Sequence, residues 1–413
     1  MAPKFTAPKG TLDVLAPQSR RYGALIARYA ARVSAAGYEL VVLPMFEDVD
    51  VFLRLGESTD VVRKEMYDFE DKGGRHIALK PDGTAPVARA FVEHRPTTPW
   101  KVWYVTPKFR YERPQKGRYR QHHELGLEVL GSDDPDLDVE VIALAAGLYA
   151  DLGLRRVVLK VTSLGDGACR PGYRDQLQQY LDTRRVELCD EHRDRVADNP
   201  MRVLDCKRAA CISATADAPR LLDHLCAECE AHFGRVRAGL DAVGVRYEID
   251  PKLVRGLDYY TRTTFEFAAE AMDAAQNGAG GGGRYDGLVE SLGGPATPGI
   301  GFGLGIERIL LACDAEGAFP APEGIVDVFV VDTMGGEAAR DVSDELRRAG
   351  VSADRAFDNR PFKKQMTAAL RSGARLAVVI EPDGVQLRTL TEKGEPETVS
   401  RDAITDAVRK RLS

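Results

Sequence analysis

The fold is decided by residues 103–131, WYVTPKFRYERPQKGRYRQHHELGLEVLG, in which two apolar segments flank a basic loop. The loop contains Pro114 and Gly117, so the pattern predicts an antiparallel pair of strands joined by a long connection. Residues two apart in a strand share a face, so Glu124 and Glu128 point one way and the apolar residues between them point the other way. Because a carboxylate is costly to bury without partners, we expect the acidic face to meet water or a polar ligand.

The composition is that of an ordinary globular protein. The chain has 413 residues with 57 Lys+Arg against 63 Asp+Glu, a formal charge of −6, 44% hydrophobic residues and 29% charged residues. These values exclude disordered, collagen-like and coiled-coil proteins. No apolar run approaches the ~18 residues that a membrane helix needs, and the N-terminus has no apolar signal core. We therefore expect a cytoplasmic protein without a membrane partner.

The proportion of helix and strand patterns changes along the chain, and these changes suggest the domain boundaries. A stretch rich in Pro and Gly, Asp314–Gly324, is the clearest break. After it, residues 325–413 predict a small α/β domain with a mostly parallel or mixed sheet. Residues 1–167 and 248–318 both combine strands with helices, whereas residues 168–247 have helical periodicity. The fold class is therefore mixed α/β, with a helical domain inserted into the larger domain.

Two basic segments lie far apart in the sequence. Residues 108–120 contain six basic residues and one acidic residue, and residues 355–375 contain the same numbers. A single segment of this kind usually forms a solvated face. Two of them, each beside other signals, favour contacts with an anionic partner such as nucleic acid.

The cysteines are unevenly spaced, with four of the seven in one short segment. Thiolates at such spacing can close a tetrahedral zinc site, which would stabilise a small helical insertion. Cys189 and His192 offer a substitute ligand, and the alternative is a set of reduced cysteines packed in helices. Cys169 and Cys313 fit ordinary packing. The predicted zinc ligands are Cys206, Cys211, Cys226 and Cys229.

Five segments together resemble the class II aminoacyl-tRNA synthetases, and among them the histidyl-tRNA synthetase family. Phe109–Glu112 is similar to the second motif of the class, and Gly303–Arg308 to the third. Tyr38–Phe52 is similar to the first, dimer-forming motif. Arg255–Tyr260 and Gly282–Gly287 resemble the two signatures that are peculiar to the histidyl enzymes. The resemblance runs over nearly the whole chain in the family's order.

The resemblance implies a catalytic domain built on an antiparallel sheet, a helical insertion and a C-terminal α/β anticodon-binding domain. It implies that ATP, accompanied by Mg²⁺, activates histidine to histidyl-adenylate, which is transferred to the 3′ end of tRNA(His). A homodimer follows from the first motif. Fixed guanidinium groups suit this chemistry because they stay charged and bind phosphate oxygens in pairs.

The resemblance also implies roles for individual residues. Arg110 and Arg255 are the implied catalytic residues. The implied ATP-binding residues are Arg110, Glu112 and Arg308. The implied histidine-binding residues are Asp82, Thr84, Glu124, Glu128, Arg255, Tyr259, Tyr260 and Tyr285. The implied tRNA contacts are Arg113, Gln115 and Lys363.

Two positions near the implied substrate ammonium depart from the family pattern. The family has Arg-Pro-Glu-Gly-Thr where this chain has Lys80-Pro-Asp-Gly-Thr84, and it has Gln where this chain has Glu124. We hypothesise that the shorter Asp82 and the added charge of Glu124 compensate for each other. An extra negative charge beside the ATP phosphates would weaken ATP binding unless Lys80 or an arginine offset it.

Three alternative functions share much of this pattern. A catalytically silent, synthetase-like histidine-binding regulator generally lacks the anticodon domain and the intact arginine-bearing signature, and this chain keeps both. An uncharged-tRNA sensor would carry a kinase-like region, which the sequence does not show. A synthetase-like enzyme with a non-tRNA acceptor stays open because the ammonium pocket is altered. Arg255 favours an enzyme over the two binding functions.

Overall fold

The computed structural model describes residues 5–54, 61–194, 196–197, 199–204, 206, 208–254, 259–272, 277–324, 326–392 and 394–413. This part of the chain forms two compact units, Met1–Pro320 and Ala321–Ser413. The last helix of the first unit continues to Glu316, so it covers the start of the break that the sequence predicts. The finer division of the first unit into three segments remains a prediction.

The first unit is organised around one large sheet. Among the described residues this sheet has eight strands in the order β1-β5-β6-β11-β10-β9-β7-β8, and a smaller sheet has the order β2-β4-β3. Only the outermost pairs, β1 with β5 and β7 with β8, are parallel; the other neighbours are antiparallel. The strands are β1 (Glu39–Leu40), β2 (Phe46–Asp48), β3 (Tyr67–Glu70), β4 (His76–Leu79), β5 (Trp100–Phe109), β6 (Gln121–Leu130), β7 (Val157–Ser163), β8 (Glu248–Ile249), β9 (Thr261–Ala269), β10 (Gly278–Arg284) and β11 (Gly299–Gly305).

Helices cover the sheet and form the inserted segment. They are α1 (Gln18–Ala35), α2 (Val49–Leu53), α3 (Thr84–His94), α4 (Pro135–Asp151), α5 (Arg170–Thr183), α6 (Asp190–Arg193), α7 (Met201–Leu204), α8 (Ala209–Ala214), α9 (Ala227–Ala242), α10 (Leu288–Ser291) and α11 (Ile306–Glu316). Short 3₁₀ turns lie at Arg185–Glu187 and Leu221–His224, and a π turn lies at Val61–Glu65. Within the described ranges, each helix falls short of the length and apolar character that a bilayer crossing requires.

The pair predicted from residues 103–131 is β5 and β6, which are antiparallel over their full length. Leu125, Leu127 and Val129 on β6 are buried in the main core together with α1 and α4. The opposite face of β5 and β6 carries Tyr104, which packs with α3 in a second core. The predicted alternation is therefore correct, and it leaves the acidic residues of β6 on the face away from the main core.

Residues 168–247, the predicted insertion (called the inserted segment below), contribute most of a separate apolar cluster, because apolar residues from α5, α7 and α8 pack together around Leu177 and Leu181. Tyr260, from the segment before β9, belongs to the same apolar cluster. The last helix of the segment, α9, behaves differently. Its Phe233, Val236 and Leu240 pack into the main core beside α4.

The second unit is a mixed sheet with helices. Its strand order is β13-β12-β14-β15-β16, with the first two pairs parallel and the last two antiparallel. The strands are β12 (Val328–Asp332), β13 (Ala353–Arg355), β14 (Leu376–Glu381), β15 (Gly384–Thr389) and β16 (Glu397–Val399). The helices are α12 (Glu337–Arg348), α13 (Phe362–Ser372) and α14 (Ile404–Leu412), with a 3₁₀ turn at Arg401–Ala403. This agrees with the predicted small α/β domain.

Candidate active site

Glycines on β11 make room for the carboxylates of β6. In the antiparallel register Gly301 lies opposite Glu128, and Gly305 lies opposite Glu124. A Cβ atom on Gly301 would lie 1.7 Å from Oε2 of Glu128, and one on Gly303 would lie 2.2 Å from Oε2 of Glu124. The alternating glycines before α11 therefore hold this sheet face open, which is a use of glycine that the sequence pattern alone did not distinguish from tight packing.

Glu128 is the centre of a buried polar network. Its side chain has no exposed surface. It accepts hydrogen bonds from the hydroxyls of Thr84 at 2.7 Å, Tyr285 at 2.5 Å and Tyr104 at 3.2 Å. Burial raises the pKa of Glu128 to about 8, against the opposing effect of the hydroxyl donors. A carboxylate in this setting can exchange a proton with a ligand near neutral pH.

The predicted tyrosines line the same pocket. The ring centroid of Tyr259 is 4.7 Å from that of Tyr260 and 5.9 Å from that of Tyr285. The neighbouring Arg284 has a different role, because its fully buried guanidinium pairs with Asp138 at 2.7 Å. This ion pair fixes the end of β10, and it therefore fixes the backbone from which the side chain of Tyr285 reaches the pocket.

Asp82 and Thr84 lie at the start of α3. One carboxylate oxygen of Asp82 accepts the backbone N–H of Ala85 at 3.0 Å, as an acidic residue at a helix N-terminus does. Burial raises the pKa of Asp82, and the carboxylate of Glu124 adds to this effect while Lys108 opposes it. The altered position is therefore both a local helix cap and one wall of the pocket.

Glu124 is neutralised by a lysine that sequence reasoning did not assign to the site. Its carboxylate forms an ion pair with Lys108, and both side chains are largely buried. Lys80 points elsewhere, since its ammonium donates to the carbonyls of Pro44 at 2.8 Å and Leu43 at 3.4 Å. The group that offsets the extra charge is therefore Lys108.

The predicted ATP-binding residues surround a cleft beside this pocket. The cleft has a volume of about 380 Å³ and is lined by Arg110, Glu112 and Arg308, together with glycines of β10 and β11. Arg110 donates from Nε to the carbonyl of Pro81 at 3.0 Å. Arg308 donates from Nη1 to the carbonyl of Gly278 at 2.6 Å. Both guanidiniums are thus anchored at one side by backbone carbonyls, and positive charge faces the cleft.

A neutral histidine contributes to the same cleft. Burial and the cations Lys108, Arg110 and Arg308 hold the pKa of His122 well below its usual range. It therefore adds a polar, uncharged ring to a cationic wall. The adjacent His123 faces Glu307, whose carboxylate accepts its backbone N–H at 3.0 Å.

The remaining predicted residues lie in other parts of the chain or outside the described residues. Arg255 lies outside the described residues. Arg113 and Gln115 are exposed in the loop between β5 and β6, where Gln115 pairs with Arg118 through the backbone. Lys363 is exposed in the first turn of α13 in the second unit.

The structure divides the four cysteines of the predicted zinc set between two clusters. Among the described residues, the two groups whose donor atoms lie within 4.8 Å of one another are Cys189, His192, Cys206 and Cys211, and Asp166, Cys169, Cys226 and Cys229. Cys169, predicted to be a packing residue, belongs to the second cluster. Cys313 is buried in the main core, as ordinary packing requires.

Two site residues escaped the sequence reasoning for a physical reason. Tyr104 and Lys108 lie on β5, and each meets a β6 carboxylate across the ladder, the tyrosine touching both Glu124 and Glu128. The strand pairing is the feature from which Tyr104 could have been identified, since Tyr104 lies opposite Gly126 in the register. A Cβ atom on Gly126 would lie 2.0 Å from the tyrosine ring, so the glycine marks the place of the ring.

Comparisons with known proteins agree with this architecture. A family model described as histidyl-tRNA synthetase matches residues 10–309, and one described as anticodon binding domain matches residues 326–411. The histidine–tRNA ligase of Rhodococcus erythropolis is 49% identical over 416 residues, which cover 98% of this chain and 97% of that relative. The histidine–tRNA ligase of Corynebacterium kroppenstedtii is 49% identical over 422 residues, covering 99% and 98%.

A solved structure gives the same result for the fold. The crystal structure of apo histidyl-tRNA synthetase from S. aureus matches with a TM-score of 0.81 and 35% sequence identity, over 98% of this chain and 100% of that one. The two family models match in the expected order, the relatives of the same length are nearly half identical, and the fold is shared. These findings agree. The chain belongs to the histidyl-tRNA synthetase family of class II aminoacyl-tRNA synthetases.

Proposed function

We propose that this chain activates histidine with ATP and transfers the histidyl group to the 3′ end of tRNA(His). The observation that carries the proposal is the junction of two sites on one sheet face. A buried carboxylate, Glu128, lies among hydroxyl donors, and a cationic cleft with Arg110 and Arg308 adjoins it. The first site suits an imidazole and the second suits a polyphosphate.

The imidazole pocket is selective because of its hydrogen-bonding groups. A ring N–H needs an acceptor, which Glu128 supplies, and the surrounding phenols of Tyr259, Tyr260 and Tyr285 add further polar contacts. A side chain without ring nitrogens would cover Glu128 without using its remaining hydrogen-bonding capacity, which costs binding energy. The pocket therefore favours histidine over apolar amino acids of similar size.

The first step joins the two substrates. A carboxylate oxygen of histidine attacks the α-phosphorus of ATP, the bond from that phosphorus to the bridging oxygen breaks, and pyrophosphate leaves. We assign Arg110 to the α-phosphate and Arg308 to the far end of ATP, where fixed guanidiniums stabilise developing charge. Arg255, outside the described residues, is the proposed partner of the reacting carboxylate. In the second step a terminal hydroxyl of tRNA attacks the histidyl carbonyl and AMP leaves.

Mg²⁺ is the expected companion of ATP, and the cleft has suitable donors for it. Glu112 and Glu266 line the cleft, and Mg²⁺ prefers carboxylate oxygens together with phosphate oxygens. These two residues would hold the ion, which supplies charge neutralisation to the phosphates when it is bound.

Two features support the tRNA and dimer parts of the proposal. Arg113, Gln115 and Lys363 are exposed, as residues that contact a large polyanion must be. Residues of the first motif expose apolar side chains, with Leu40 56% and Val42 84% exposed. We assign this surface, together with the edge strand β1, to the interface of a homodimer.

The decisive experiment is histidine-dependent exchange of pyrophosphate into ATP, followed by charging of tRNA(His). We expect strong exchange in the unmodified protein and a loss of several orders of magnitude in Arg255→Ala. The matched control is Arg246→Ala, an exposed arginine outside the site, which should exchange normally.

The other functions predict different results. A histidine-binding regulator would bind histidine without exchange, and that outcome would overturn the proposal. Exchange without charging of tRNA(His) would instead indicate an enzyme with a different acceptor.

A further inference from the structure

The inserted segment carries a cluster of soft metal donors that have no role in the proposed reaction. Cys189 precedes α6, His192 lies in α6, Cys206 lies between α7 and α8, and Cys211 lies in α8. Sγ of Cys189 is 3.1 Å from Nδ1 of His192 and 4.0 Å from Sγ of Cys206. Sγ of Cys211 is 4.0 Å from Nδ1 of His192. Four donors from three separate pieces of chain thus meet at one point.

We propose that Cys189, His192, Cys206 and Cys211 bind one structural zinc ion. With zinc–sulfur distances of about 2.3 Å and zinc–nitrogen distances of about 2.0–2.1 Å, a regular tetrahedron has edges of about 3.8 Å between sulfurs and about 3.6 Å between sulfur and nitrogen. The observed separations of 3.1 and 4.0 Å fall on either side of these edges. Three thiolates and one imidazole form a donor set that favours zinc over oxygen-preferring ions.

The surroundings of the cluster include a hydrogen-bond donor and a cation. The backbone N–H of Cys189 donates to Sγ of Cys211 at 3.4 Å, a contact of the kind that orients metal ligands. Three thiolates and one zinc ion carry a net negative charge. Arg208 lies beside Cys189 and pairs with Glu191 at 2.9 Å, so a cation is held close to this charge.

The local fold also calls for a cross-link. α6 and α7 have four residues each and α8 has six, lengths at which a helix contributes little stability of its own. A metal that joins Cys189 to Cys211 would tie these three helices together and leave the apolar cluster around Leu177 and Leu181 ordered beneath them.

The second cluster, Asp166 with Cys169, Cys226 and Cys229, has internal partners already. One oxygen of Asp166 accepts the backbone N–H groups of Ala168 at 2.9 Å and Cys169 at 3.3 Å. Its other oxygen is 3.9 Å from the guanidinium of Arg262. A cation therefore already stands at the carboxylate that a metal would need, and this cluster serves as the internal comparison.

The test is the metal content of the intact protein, purified without chelators or metal-affinity resin and measured by plasma mass spectrometry. We expect one zinc per chain, lost in Cys206→Ser and kept in Cys226→Ser. Both cysteines are half-buried in the same segment, so the two variants are matched. Cobalt exchanged into the unmodified protein should show the visible absorption of a tetrahedral thiolate centre, and this measurement holds even if a variant does not fold.

Each outcome decides the assignment. A protein that neither contains zinc nor takes up cobalt overturns it, as does zinc that survives Cys206→Ser but disappears in Cys226→Ser. A disulfide between Cys189 and Cys206 in freshly purified, unmodified protein also overturns it. A second zinc lost only in Cys226→Ser leaves the proposal standing and adds an ion at the other cluster.

Discussion

At the scale of single residues, the site is defined by how buried charges are balanced. Glu128 keeps its proton to an unusually high pH because burial outweighs its three hydroxyl donors. Glu124 instead meets a cation, Lys108. Two carboxylates four positions apart on one strand thus have different electrostatic roles, and each leads to its own expectation.

We expect histidine binding to depend on pH through Glu128. The pKa of Glu128 is about 8, and an imidazole has a pKa of about 6.5. Between these values the carboxyl and the ring hold one titratable proton together, so they can form a charge-assisted pair. Above this range that shared proton is lost and only the N–H of the neutral ring remains to bind the carboxylate. Below it the ring and the carboxyl are both protonated, so the KM for histidine should rise by up to about tenfold per pH unit on either side.

The check is the KM for histidine in the exchange assay between pH 5.5 and 9.5, which spans about a unit or more beyond both values. Glu128→Gln cannot lose a proton, so its KM should be higher throughout and its alkaline rise should be absent. An alkaline rise of equal slope in both proteins would contradict this role of Glu128.

The ion pair of Lys108 and Glu124 should be needed as a pair. Lys108→Met leaves a buried carboxylate without its cation, which typically costs about 3–5 kcal/mol. Adding Glu124→Gln removes the orphaned charge and should restore most of the stability, measured as the thermal unfolding midpoint. If the double variant is no more stable than Lys108→Met, then Lys108 does not stabilise the protein by neutralising the charge of Glu124.

At the scale of elements, the glycines of β11 leave the space that the carboxylates of the site occupy. Gly301 and Gly303 lie where a methyl group would overlap the carboxylates of β6. Other glycines have no such neighbour: Gly234 is exposed in α9, and a Cβ atom there would meet nothing within 4 Å. The same substitution should therefore have opposite effects in the strand and in the helix.

Gly301→Ala forces the carboxylate of Glu128 or the strand to move, at a cost of about 1–3 kcal/mol. We expect the kcat/KM for histidine to fall by about tenfold or more, since each 1.4 kcal/mol corresponds to about tenfold. Gly234→Ala should leave exchange unchanged and stabilise the helix by about 0.5–1 kcal/mol. Equal activity of the two variants would show that the β11 glycines do not shape the pocket.

At the scale of the whole molecule, the chain has two compact units, and a different family model matches each of them. The first unit holds the proposed adenylation site, and the second has its own two apolar clusters and an exposed, basic start to α13. The first unit also exposes apolar residues along its edge strand, and these bear on the assembly of two chains.

We expect a dimer in solution that depends on this edge. Val42→Asp together with Leu40→Asp places charges in the proposed interface and should give monomers by light scattering after size exclusion. Val186→Asp is the control, because Val186 is 82% exposed in the inserted segment and belongs to neither the first motif nor strand β1. A monomeric unmodified protein, or a dimer that persists in the double variant, would contradict this interface.

The sequence by itself determined the strand pair β5 and β6, the apolar face of β6, the C-terminal α/β unit and the family motifs. These features depend on residues close together in the chain, where periodicity and turn residues specify the local backbone. The resemblance of short motifs to those of the family pointed to several of the residues around the pocket and the cleft, because the motifs lie on those strands.

Only the tertiary structure decided which groups meet across the fold. It paired Lys108 with Glu124, placed Tyr104 between two carboxylates and divided the cysteines into two clusters. Cys169 and Cys226 are 57 positions apart, yet the N–H of one meets the sulfur of the other at 3.1 Å. Spacing in a sequence cannot rank such partners, because long-range contacts depend on how whole elements pack.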